Sequence, residues 1–213
     1  MPESFEKELI VLAADKSIKL AIETLVGQRH QSLGIRPLPE GAWDVVVQAN
    51  YDSSILLAGH ELSRSQTRRY RRAVMICDRH GCGREHLSRV ELEDQMEDQL
   101  RRSGWEDRAR AVVIDPELEA WVWVVSPHVE EVLGWRGRQP SLMEWLETSG
   151  HLAAGQRKPP RPQAALESAL QAVRKRKSSA LFRQLAERVT LERCLDPAFK
   201  KLKATLLEWF PRQ

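Results

Sequence analysis

No stretch of the 213 residues reaches the roughly 18 consecutive apolar positions that a membrane-spanning helix requires. The opening Met1-Pro2-Glu3-Ser4-Phe5-Glu6 lacks the basic-then-apolar order of a secretory leader. These absences predict a cytoplasmic chain with no membrane partner. Cysteine is scarce: Cys77, Cys82 and Cys194 are an odd, sparse set that argues against a disulfide scaffold and agrees with a reducing compartment. Three motifs of nucleotide and acyl chemistry are missing as well. No Gly-x-x-x-x-Gly-Lys-Ser/Thr follows a strand pattern, which argues against a P-loop NTPase. The first strand pattern runs into Ala14-Asp15-Lys16-Ser17 without a Gly-x-Gly-x-x-Gly, which argues against a dinucleotide site. There is no Gly-x-Ser-x-Gly nucleophile elbow.

Apolar residues make up 42% of the chain and charged residues 30%, ordinary values for a protein with a packed core. The length suits one α/β domain of roughly 150 residues with a smaller appended part. A formal net charge of +3 hides an asymmetry. Residues 1–150 hold 19 Lys/Arg against 25 Asp/Glu, net −6, whereas residues 151–213 hold 14 against 5, net +9. A basic C-terminal part suits a polyanion such as DNA or RNA, or an acidic surface supplied by its own N-terminal half; a plain solvated face is the other reading.

Four nearly continuous apolar runs, 8–14, 43–49, 73–77 and 111–114, read as strands covered on both faces. Helical spacing follows the first three: Ile18, Ala21, Ile22, Leu25; then Ile55, Leu56, Gly59, Leu62; then Leu92, Met96, Leu100. Strand and helix in alternation predict a Rossmann-like parallel four-stranded sheet with right-handed crossovers over residues 1–126. Residues 127–213 read as an all-helical C-terminal region. Helices are expected at 116–125, 129–133, 141–147 with Ser141 as N-cap, 163–174, 179–193 and 197–210, and the 155–162 stretch breaks any helix. In the last helix Asp196 is the expected N-cap and Pro197 the first residue, with Phe199, Leu202, Leu206 and Phe210 on one stripe.

In a parallel α/β sheet the strand carboxyl ends share one edge, where ligands bind. Here that edge is acidic: Asp15 after the first strand, Asn50 and Asp52 after the second, Asp78 at the third, and Asp115, Glu117 and Glu119 after the fourth. Carboxylates converging from separate strands repel one another unless a cation joins them, and hard oxygen ligands favour Mg²⁺, Mn²⁺ or Ca²⁺. Each also has a structural reading, with Asp15 and Asp115 as helix caps. The run Cys77, His80, Cys82, His86 offers zinc-type ligands, but Cys77 ends a buried strand and the usual paired spacing is absent, so zinc is disfavoured. Gly81 and Gly83 then serve a tight turn.

Two basic segments are candidate anion contacts. Residues 64–72 carry five arginines and enter the third strand from the end opposite Asp78, where they could equally cover the sheet bottom. The segment 157–177 supplies Arg157, Lys158, Arg161, Arg174, Lys175, Arg176 and Lys177, the preferred nucleic-acid contacts. The third helix, with Glu91, Glu93, Asp94, Glu97 and Asp98 after Glu85, presents a negative face: solvated, docking a basic partner, or matching the basic tail. Tryptophans 121, 123, 135, 145 and 209 are expected mainly in the core.

The strand ending Val74-Met75-Ile76-Cys77-Asp78-Arg79-His80-Gly81, the later Asp115-Pro116-Glu117-Leu118-Glu119-Ala120-Trp121 and the tail 194–202 together resemble the Toprim-like proteins of bacterial anti-phage defence loci. More narrowly, they resemble the small Toprim-like subunits of methylation-associated defence operons. The resemblance implies Mg²⁺ or Mn²⁺ held by Asp78, Asp15, Asp115 and His80, with Asp78, Asp15 and Glu119 in the catalytic set. It departs where the family has Asp-x-Asp: this chain reads Asp78-Arg79-His80, so the second carboxylate is missing and Arg79 adds positive charge. The role this implies is a scaffold or regulator of other subunits encoded in the same operon, with a metal-dependent nuclease as the alternative.

Overall fold

In the computed structural model, which describes residues 5–48, 51–124, 126–190 and 194–212, four strands form one sheet. They are β1 (Lys7–Ala13), β2 (Trp43–Val47), β3 (Tyr70–Asp78) and β4 (Ala109–Ile114), all parallel, in the order β2-β1-β3-β4. Every expected run contributes a strand; Ala49 and Asn50 lie outside the described residues. In the inner pair, Leu9 to Ala13 and Ala73 to Cys77 are all buried, which is why these stretches show no polar alternation.

Helix α1 (Lys16–Gln28), followed by the short α2 (His30–Leu33), returns the chain to β2; α3 (Tyr51–Arg64) crosses to β3, and α4 (Arg89–Leu100) leads to β4. Asp15 caps α1 as expected, its Oδ1 accepting from the Ile18 amide at 2.7 Å. Ser88 and Glu91 close a capping box on α4, whose Leu92, Met96 and Leu100 are fully buried. Because strand order reverses between β1 and β3, their carboxyl ends flank the crevice of the sheet. Asp15, Asp78 and Asp115 share that edge, as the sequence predicts.

The C-terminal region folds into α5 (Pro127–Leu133), α6 (Leu142–Thr148), α7 (Pro162–Ala172), α8 (Ser179–Arg188) and α9 (Pro197–Trp209). Helix α8 packs along α1 and α9 against β4, so one core joins the strand residues to Phe182, Phe199, Leu202 and Leu206. Asp196 caps α9 through the Ala198 and Phe199 amides at 3.0 and 3.3 Å, with Pro197 in the first turn. Helix α8 stops at Arg188, where the Arg29 guanidinium donates to the carbonyls of Ala186, Glu187 and Val189 at 3.0, 2.6 and 3.1 Å. The remainder of the helix expected to residue 193 includes 191–193, outside the described residues.

One expectation fails locally. Instead of a helix over 116–125 there is a single 3₁₀ turn, Leu118–Trp121. Its tryptophans are drawn to separate anchors: the Trp121 indole donates to Asp196 Oδ1 at 3.0 Å and the Trp123 indole to the Pro162 carbonyl at 3.2 Å. These tertiary contacts override the local helical spacing. Asp115 accordingly caps nothing and instead accepts from Arg79.

The negative face of α4 is also not simply solvated. Glu93 is buried, and its Oε1 accepts from the Val113 amide at 3.0 Å; Glu97 Oε1 accepts from the Ala111 amide at 3.1 Å. These are amides of β4, an outermost strand, on the side away from β3. Lys201 of α9 reaches both carboxylates, at 3.2 and 2.7 Å, and Arg89 joins Glu93 at 2.5 Å. The acidic helix thus finds its match in the basic tail, one of the alternatives the sequence left open. At the opposite end of the sheet, Arg69 and Arg71 meet Glu6 and Glu8, and Arg72 lies over the Trp209 ring, so residues 64–72 cover the sheet bottom.

Candidate functional site

The acidic edge is built from four elements. Asp78, the last residue of β3, has its amide held by Asp52 Oδ1 of α3 at 2.7 Å. Its own Oδ1 is buried and meets no hydrogen-bond partner among the described residues. Burial, then the charges of Asp52 and Glu119, hold the Asp78 carboxyl well above the usual carboxylate range. Burial also raises Asp52, against the pull of the Asp78 amide. Glu119, buried in the 3₁₀ turn, completes this group, and Asp15 adds a weaker charge from the α1 cap.

The cation of the site comes from the basic segment. Lys177 Nζ lies 2.5 Å from Glu119 Oε1 and 3.4 Å from Glu167 Oε1 of α7. Burial pushes Glu119 up despite the ammonium. For Lys177, burial works downward, but the hydrogen bond and charge of Glu119, with Glu167 behind it, carry its pKa above the ordinary lysine value. The ammonium is held charged against a carboxylate otherwise poorly solvated.

The remaining sequence candidates lie to one side. Arg79 Nε donates to Asp115 Oδ1 at 2.8 Å, and its guanidinium also donates to the Glu85 carbonyl at 2.7 Å. The Glu85 carboxylate takes the amides of Gly81 and Gly83, both at positive φ, as the turn requires. His80 faces Glu117 rather than Asp78: its Nδ1 is 3.0 Å from Glu117 Oε2. Glu117 is buried and its Oε1 accepts from the Gln163 amide at 2.7 Å, tying the start of α7 to the sheet edge. The three cysteines are free and buried; Cys77 faces the core, and burial drives its thiol pKa up, while His86 is exposed.

Of the seven basic candidates, three are engaged within the chain. Besides Lys177, Lys158 reaches Asp196 at 3.4 Å and Lys175 donates to the Val132 carbonyl at 2.5 Å. Among the described residues no carboxylate lies within ion-pair distance of Arg157, Arg161, Arg174 or Arg176, and all four are exposed.

The Mg²⁺ or Mn²⁺ expected here needs several carboxylate oxygens converging on one point. The orphaned Asp78 Oδ1 would suit such an ion. The set around it does not: Lys177 neutralises Glu119, Arg79 neutralises Asp115, and Asp15 Oδ1 is bonded to the α1 amide. Among the described residues no group of three or more His, Cys, Asp or Glu side chains is arranged to hold a metal ion. Two participants escape sequence reading. Asp52 is visible as a strand-end acid, but only the fold brings it to the Asp78 amide. Lys177 stands 58 positions from Glu119 with no local signal linking them.

No family model, curated protein or solved structure matches this chain.

Proposed function

We propose that the chain is a non-catalytic scaffold or regulatory subunit of a multi-protein bacterial anti-phage defence system, with a strand-end site closed by its own lysine. The defence setting and the partners, other subunits of the same operon, rest on the sequence resemblance to Toprim-like proteins. The observation that carries the non-catalytic reading is the Lys177 ammonium on Glu119, where a metal-dependent phosphodiesterase would keep that carboxylate open for an ion. Arg79 on Asp115 acts in the same direction.

A second reading, a Mg²⁺- or Mn²⁺-dependent nuclease, draws on the unpartnered Asp78 Oδ1. Melting curves with and without Mn²⁺ separate the two. A scaffold shows no metal-induced shift, and its defence activity in phage-plaque assays survives Asp78→Asn. An ion at about a hundred times its Kd would raise Tm by roughly 5–10 °C. Such a rise, lost together with defence in Asp78→Asn, overturns the scaffold reading.

A further inference from the structure

The segment between α7 and α8, residues 173–178, carries Arg174, Lys175, Arg176 and Lys177 in succession and forms neither helix nor strand. Its first part is anchored: the Lys175 amide donates to the Leu170 carbonyl at 2.8 Å, and the Lys175 ammonium to Val132. A groove of about 410 Å³ runs along it, lined by all four basic residues with Glu167, Leu170 and Gln171. A second groove, about 420 Å³, is lined by Arg161, His80 and Gln163 and meets the first at Glu167. Arg161, Arg174 and Arg176 are exposed and bare of carboxylates among the described residues. Lys177 alone of this cluster turns inward to the buried Glu119.

We propose that this strap binds a nucleic-acid backbone and that Glu119 gates it: Lys177 can neutralise Glu119 or a phosphate, but not both. The exposed arginines make the first contact, since they have no competing partner to leave. Full engagement then withdraws the ammonium from Glu119 and leaves the acidic edge without its counter-charge. By linkage the two events oppose each other with the same free energy, so weakening the inner contact strengthens the outer one. The proposal rests on the reading that Lys177 closes the site. It is tested by nucleic-acid affinity, whereas that reading is tested by Mn²⁺, so the two fail separately.

The measurement is binding of a fluorescent single-stranded oligothymidylate at several salt concentrations, with melting curves to confirm that each variant folds. Glu119→Gln is expected to tighten binding about five- to tenfold. It should also steepen the slope of log affinity against log salt by about 0.7, one more phosphate contact on a single strand. With Lys177→Gln already in place, adding Glu119→Gln should change nothing. On the wild-type chain, carbodiimide coupling of Lys177 to Glu119, read by mass spectrometry, should fall as oligothymidylate saturates. Four results each overturn the proposal: no oligothymidylate binding, unchanged affinity in Glu119→Gln, an equal gain when Lys177 is absent, or coupling indifferent to oligothymidylate.

Discussion

Two clusters in this molecule set buried carboxylates against a lysine from the C-terminal region, and they differ in how completely the oxygens are satisfied. Around Glu93 and Glu97, the carboxylates accept strand amides from Val113 and Ala111, and Lys201 and Arg89 balance the charge. Around Asp78 and Glu119, one lysine serves a larger set of acids, and a buried oxygen of Asp78 has no partner among the described residues. The first cluster is structural and the second is frustrated. Buried acid alone therefore does not mark a site; an unmet acceptor beside raised carboxyl pKa values does.

The largest way to break the contrast is Glu93→Ala, which leaves the Val113 amide, Arg89 and Lys201 without their shared acceptor. A loss of about 3–5 kcal/mol in urea unfolding is expected; a loss under about 1 kcal/mol would mean the cluster is not structural. Lys201→Met removes the balancing charge but leaves Arg89 on Glu93, so its cost should be smaller, about 1–2 kcal/mol.

Asp78→Asn should act in the opposite direction, because it removes a carboxylate that folding disfavours. An unpaired buried acceptor costs about 1–3 kcal/mol, and recovery of roughly 1 kcal/mol at pH 8 is expected. The sign follows from linkage. Asp78 has a folded-state pKa above its unfolded value of about 3.9, so its contribution is fully present below that pH and is lost as pH rises through the folded value. The variant lacks that decline, and its advantage over wild type should widen from pH 4 upward; a pH-independent gap would refute the assignment. The smallest effect is Lys177→Met, whose side chain is 30% exposed on an irregular strap. A change within about 1 kcal/mol is expected in thermal melts, and a much larger loss would put Lys177 with Lys201 as a structural cation.

The strands were legible because a sheet covered on both faces imposes unbroken apolar runs, and α9 because Asp196-Pro197 and the Phe199–Phe210 stripe carry their own start and face. The turn at 118–121 was not, since Trp121 and Trp123 obey partners at positions 196 and 162 rather than their neighbours. Glu93 and Glu97 looked like solvated charges because nothing within α4 shows that β4 amides lie opposite them. The acidic edge itself was readable from strand-end positions. Its cation was not, because Lys177 belongs to a run that local sequence assigns wholly to an external anion.

The carboxylates of α4 also decide how this sheet can meet other chains. A foreign extended segment approaching β4 finds its outward amides at Ala111 and Val113 already bonded, with α9 packed beside them. The opposite flank ends in β2, whose Val46 and Val47 are 40% and 38% exposed. Cross-chain strand addition, and with it any tendency to aggregate through the sheet, is therefore confined to one side of the protein.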